Sequence, residues 1–176
     1  MSITMTIFGV LAVLIIGFGG YVASKPDTFR IERSIEIHAA PEVVFAKVND
    51  LREFNRWNPF ALADTTTHLE YRGPTRGVGS SYTWEGAKSG SGIMTIVESK
   101  QPAEIVMQLE FKKPYVANNR AVFSFDMSGS QTKVIWSMTG RYSFSQKLFG
   151  TIFNMDKMVG GEFAKGLSTL KGQTER

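Results

Sequence analysis

Ile31-Glu32-Arg33-Ser34-Ile35-Glu36-Ile37-His38-Ala39-Ala40-Pro41-Glu42-Val43-Val44-Phe45 decides the fold. Ile31, Arg33, Ile35 and Ile37 alternate with Glu32, Ser34 and Glu36, the period of two that gives a strand one inward face. Pro41 then stands where a helix begins, because its fixed φ suits the first helical position and its missing N–H is not needed there. Glu42 in the first turn complements the positive end of the helix dipole. Val44, Phe45 and Val48 supply the buried stripe, and Asn49 or Asp50 ends the helix. Leu51, Phe54 and Trp57 begin a second short helix that stops before Pro59.

Six strand-like segments follow: 68–73, 80–86, 93–99, 104–112, 120–127 and 133–144. Turn residues bound them, such as Ser89-Gly90-Ser91-Gly92, Gln101-Pro102 and Ser128-Gly129-Ser130. Their close spacing implies an antiparallel meander. From about Lys147 to Leu170 the period returns to that of a helix. Leu148, Ile152, Met155, Val159, Phe163, Leu167 and Leu170 step by three or four and so share one face. Glycines at 150, 160, 161 and 166 each cost up to about 1 kcal/mol inside a helix, which implies close packing or a bend. The whole is an α+β domain: a curved antiparallel sheet of about seven strands wrapped on a long C-terminal helix, with two short helices after the first strand. Such an arrangement often leaves an apolar hollow between helix and sheet.

Ahead of this domain, Ser2 to Ser24 carries no charge. As a helix the run would span about 34 Å, enough for a hydrocarbon core of about 30 Å. The alternatives are a buried core helix, which seldom lacks a polar stripe over this length, and a cleaved signal peptide. No cation precedes the run, and Tyr21-Val22-Ala23 is a poor cleavage end. The reading is therefore a membrane helix over residues 1–25 and a folded domain over 26–176, joined at Lys25-Pro26-Asp27. Lys25, Arg30 and Arg33 follow the span, which places the domain in the cytoplasm as a single-pass protein.

Composition narrows the function. The chain has 176 residues, no cysteine and two histidines, His38 and His68. Thiolate chemistry and a three-histidine metal centre are thereby excluded. No metal or cofactor is expected. The net charge of +4 contains no basic block, so nucleic acid is not implied. Gly73-Pro74-Thr75-Arg76-Gly77-Val78-Gly79 precedes no helix and is not a nucleotide-binding loop; it reads as a loop at a cavity mouth.

The order of elements resembles the START-like superfamily, the helix-grip fold of polyketide cyclases, plant Bet v 1-like proteins and lipid-transfer domains. The stretch His38 to Phe45 resembles the first strand-to-helix junction of those proteins. Asn55-Arg56-Trp57-Asn58-Pro59-Phe60 is similar to the tryptophan-proline-aromatic motif ending the second short helix. Asp156 to Leu167 resembles the long final helix of the bacterial polyketide cyclase/dehydrase-like branch. The resemblance spans about Phe29 to Lys171 and implies a hydrophobic small molecule or lipid as guest. The superfold hosts carriers, sensors and a few enzymes, so it does not fix an activity.

Alternation sorts the residues that would line a cavity. Tyr82 and Trp84 share a face; so do Ile105, Met107, Leu109 and Phe111, then Ala121, Phe123, Phe125 and Met127, then Val134, Trp136, Met138 and Tyr142. These read either as a solid core or as a wall of rings and adaptable methionines. The candidate ligand-binding set is Trp57, Tyr71, Tyr82, Trp84, Met107, Phe123, Phe125, Trp136 and Phe153. Among these, Tyr71, Tyr82, Trp84 and Trp136 offer polar handles. Trp57 reads equally as a packing anchor. No catalytic residue is assigned, because no Ser-His-Asp set or carboxylate pair has supporting context. The expectation is a membrane-anchored domain that binds an apolar guest. The alternatives are a cyclase or dehydratase using the same pocket, and an interaction module with no ligand.

Overall fold

The computed structural model describes residues 3–175; Met1, Ser2 and Arg176, which fall in the segments 1–25 and 26–176, lie outside the described residues. A helix α1 (Ile3–Ala23) is followed by strand β1 (Thr28–Ile37) and helix α2 (Pro41–Asn49). Two one-turn helices come next, α3 (Leu51–Phe54) and α4 (Pro59–Leu62). The six further strands are β2 (His68–Arg72), β3 (Ser81–Gly86), β4 (Gly90–Lys100), β5 (Glu104–Lys113), β6 (Ala117–Ser128) and β7 (Gln131–Arg141). Helices α5 (Phe144–Ile152) and α6 (Met155–Thr174) close the chain.

The seven strands form one antiparallel sheet in the order β1-β7-β6-β5-β4-β3-β2. Residues 68–141 are thus a meander, and β1 adds to its far edge against β7. Register shifts at Ser91/Gly92 and Ile96/Glu98 bulge β4, and bulges bend and twist a strand, which helps the sheet curve. Inside the curve, Phe163, Leu167 and Leu170 of α6 share one buried core with Ile31, Phe54, Phe123 and Trp136. Helix-grip geometry follows from this burial: an apolar sheet face must be covered, and α6 with α2–α4 covers it.

Local chemistry fixes the helix starts. Asp50 caps α3, accepting from the Arg52 and Glu53 amides at 2.9 and 3.4 Å. Asn58 caps α4, accepting from the Phe60 amide at 3.2 Å, with Pro59 at the first helical position. This fourth helix starts at the proline where the sequence reading stops the second.

The final helix differs from the expectation of one element from Lys147 to Leu170. The last strand ends at Arg141, and Ser143 with Gln146 forms a capping box that starts α5. The helix breaks at Phe153, and Asn154 caps α6 by accepting from the Lys157 amide at 2.8 Å. Gly160 and Gly166 of α6 are there for close approach. A Cβ on Gly160 would meet the Arg33 guanidinium, which reaches across to Asp156 at 2.9 Å. A Cβ on Gly166 would lie 2.8 Å from Pro59 Cδ and 3.0 Å from Trp136 Cζ3. Gly166→Ala is accordingly expected to lose about 1–3 kcal/mol from overpacking, offset by about 1 kcal/mol of helix propensity. Gly161→Ala, which meets nothing, is expected to gain from propensity alone. Denaturant midpoints of the two variants check the contrast.

Candidate functional site

Between the concave sheet face and α6 lies a cavity of about 680 Å³. Its volume falls in the range of about 300–1,000 Å³ typical of small-molecule sites. Met94, Met107, Leu109, Ala121, Phe123, Trp136 and Met138 form the sheet wall, while Met155, Val159 and Phe163 form the helix wall. Phe60, Tyr115 and Phe149 are half-exposed where the hollow reaches the surface.

An aromatic stack joins the sheet wall to the helix wall. Trp136 lies between Phe163 and Phe123, stacked on the first at 4.0 Å between centroids and on the second at 4.9 Å. Trp57 meets Trp136 edge-on at 5.8 Å. The edge-on contact suits the ring quadrupoles.

Few polar groups face the hollow. Tyr82 is buried, and burial raises its phenol's pKa further above the usual range. It therefore stays protonated and can orient a guest without acting as a base. Asn58 donates to Asn55 Oδ1 at 3.0 Å and to the Tyr82 oxygen at 3.5 Å. Among the described residues, two buried side-chain polar atoms have no protein partner: Trp136 Nε1 and Asn119 Oδ1. Leaving a buried donor or acceptor unmet costs about 1–3 kcal/mol. Both residues border the cavity, but these two atoms are sealed inside its wall, and Asn119 Oδ1 fills the slot beside Gly140.

Asp64 also borders the cavity, yet its carboxylate is committed to local structure. It accepts from the Lys88 and Ser89 amides at 2.8 and 2.9 Å, the Thr66 amide at 3.0 Å and the Thr66 hydroxyl. These bonds hold its pKa well below the ordinary value of 3.8. A depressed carboxylate stabilises the fold above its unfolded pKa, and that stability drains away as pH falls below about 3.8 toward the folded value. Thermal melts should therefore separate the protein from Asp64→Asn clearly at pH 7, and the gap should narrow steadily below pH of about 4.

Of the nine candidates, Tyr82, Trp84, Met107, Phe123 and Trp136 line the cavity. The other four do not. Trp57 is fully buried behind the wall, and its Nε1 donates to the Lys47 carbonyl at 3.3 Å. Tyr71 accepts from Asn55 Nδ2 at 3.1 Å and carries the Arg52 guanidinium over its ring at 4.2 Å. Phe125 packs edge-on to Phe45 of α2 at 5.5 Å. Phe153 sits outside at the end of α5, stacked on Phe149 at 4.5 Å. Asn119 was not among the candidates. It sits one alternation step before Ala121, Phe123 and Phe125, so a strand begun at Arg120 hides it; β6 begins at Ala117.

A curved seven-stranded sheet gripping a helix around an apolar hollow is the helix-grip, Bet v 1-like fold. Residues 28–175 match the model of the polyketide cyclase/dehydrase and lipid transport family, and the chain belongs to that family. Solved structures agree on the fold. The Aha1 dimer from Colwellia psychrerythraea is 16% identical with a TM-score of 0.60, covering 84% of this chain and 96% of that one. Protein CV1439 from Chromobacterium violaceum is 13% identical with a TM-score of 0.59, covering 86% and 99%. Ara h 8.0201 is 9% identical with a TM-score of 0.55, covering 81% and 97%. No curated protein matches the chain.

Proposed function

We propose that the protein is a membrane-anchored binder of a hydrophobic small molecule or lipid, held between the sheet and α6. Residues 26–176 form the binding domain and residues 1–25 the anchor. The observation that carries the reading is the 680 Å³ cavity with an apolar wall between the sheet and α6. A guest that is mostly hydrocarbon fits this lining. Burying about 200 Å² of its apolar surface contributes on the order of 5 kcal/mol before ordering costs.

The anchor rests on α1. It is long and apolar enough to cross a membrane, and its most apolar stretch is unburied by the rest of the chain. A signal sequence passes the same test of length. Two contacts favour retention of α1 on the domain: Val22 is fully buried, and the Lys147 ammonium of α5 donates to the carbonyls of Ala23 and Lys25 at 3.3 and 2.7 Å. Loss of α1 would strip one acceptor, the Ala23 carbonyl, from a buried charge, which is costly. Lys25, Arg30 and Arg33 favour a cytoplasmic domain.

Extraction of the full chain from membranes with detergent-free polymer, followed by mass spectrometry, tests the proposal. One apolar or amphiphilic species should appear at near-stoichiometric amount above the surrounding lipid. A lipid profile identical to that of the bulk membrane would count against it.

A further inference from the structure

Helix α5 is inside out. At about 100° per residue, Phe144, Ser145, Leu148, Phe149 and Ile152 fall within an arc of about 140°, and Lys147 lies well outside it. The apolar side faces out: Phe144 is 55% exposed, Phe149 45% and Ile152 66%, whereas Lys147 is 8% exposed. Phe153, just past the helix, is 47% exposed. A soluble domain orients such a helix the other way, with its apolar face buried and its lysine in water. A contiguous exposed apolar face marks an interaction surface.

The buried lysine says where that surface lies. Its ammonium donates to the Ala23 and Lys25 carbonyls and pairs with Asp27. It thus fastens α5 to the end of α1, at the level where the apolar helix gives way to Lys25. Tyr21 lies at that level too, with the Lys25 ammonium 5.1 Å from its ring centre, and tyrosine favours the membrane–water boundary.

Sheet register brings the cavity mouth to the same end. Thr28, the first residue of β1, pairs with Arg141, the last of β7; Phe111 pairs with Ala117, Ser91 with Lys113 and Gly86 with Gly90. The β3–β4 and β5–β6 turns therefore lie at the end of the sheet from which α1 departs. Lys88 and Ser89 of the first turn, Tyr115 of the second and Phe149 of α5 all border the cavity. Val116 beside Tyr115 is 82% exposed. Lys25, Lys88, Lys112 and Arg141 give this end a cationic fringe, complementary to anionic headgroups.

The geometry points to α5 as an in-plane interfacial helix that seats this end of the domain on the bilayer from which α1 emerges, with the cavity mouth opening onto the lipid surface. The guest is then drawn laterally from the membrane without crossing water. This rests on the anchoring proposed above, and the test separates the two.

The chain has no cysteine, so single thiols report unambiguously. Ile152→Cys, Leu14→Cys and Ser130→Cys, each in the full chain, are labelled with bimane. They are reconstituted in vesicles of phosphatidylcholine and phosphatidylglycerol with brominated acyl chains. Ser130 lies in the β6–β7 turn, at the opposite end of the strands from Arg141. Interfacial helices sit about 5–10 Å deep, so the label at 152 should lose about half its emission or more, as should the label at 14, while that at 130 stays bright. Quenching at 14 with none at 152 overturns the inference and leaves the anchor standing. A label at 152 shielded from both bromine and aqueous iodide marks a protein on this face and also overturns it. No quenching at 14 defeats the anchor and the interfacial helix together.

Discussion

Trp136→Ala is expected to cost about 3–5 kcal/mol, the usual penalty for deleting a large buried aromatic. The residue is 3% exposed and stands at the centre of an aromatic cluster in the cavity wall. Its ring stacks on Phe163 of α6 and Phe123 of β6 and meets Phe54, Trp57 and Phe60 edge-on. It therefore joins the sheet, the short helices and α6, and truncation leaves a void touching all three. Because that void opens into the existing cavity, water can enter it, and α6 loses the ring on which its Phe163 stacks. Chemical denaturation should show the midpoint falling sharply. Trp136→Phe keeps most of the packing but removes the indole N–H, so it should retain most of the stability.

Ala121→Phe is expected to abolish guest retention while leaving the fold largely intact. Ala121 sits mid-wall, paired across the sheet with Met107 on one side and Met138 on the other. All three border the hollow, so a ring grown from this position enters empty space. Filling a void usually stabilises, in contrast to crowding a packed core. The melting temperature should hold or rise, while affinity for an apolar probe drops by about tenfold or more, since the site no longer buries the same surface. This separation of stability from binding is what a true cavity gives and a solid core does not.

Much of the architecture was legible because strands and helices impose different periods. Alternation in Ile31–Ile37 and in the later segments identified the sheet, and Pro41 and Pro59 marked helix boundaries. The break in the final helix was not, because the three-and-four spacing of Leu148, Ile152 and Met155 runs through it unbroken. The capping residues Ser143, Gln146 and Asn154 carry the signal instead. Ile152 fits the apolar stripe by spacing yet turns outward, because Lys147 takes the inner side to reach the end of α1. That is a long-range polar contact no local pattern encodes.

For the site, alternation gives a residue's face but not its place along the strand. Phe123 and Phe125 share an inward face, yet Phe123 borders the hollow and Phe125 lies under α2. Tyr71 and Trp57 are likewise inward without reaching the cavity. Asn119 escaped because a polar residue at an inward position looks like the end of a strand rather than part of its wall.

Titration of the purified full chain with a fluorescent fatty probe tests the central claim most directly. Saturable binding at one probe per chain, with a blue-shifted emission that Ala121→Phe abolishes, is the expected result. Probe that binds equally to both proteins, or without saturation, would contradict a guest held between sheet and helix.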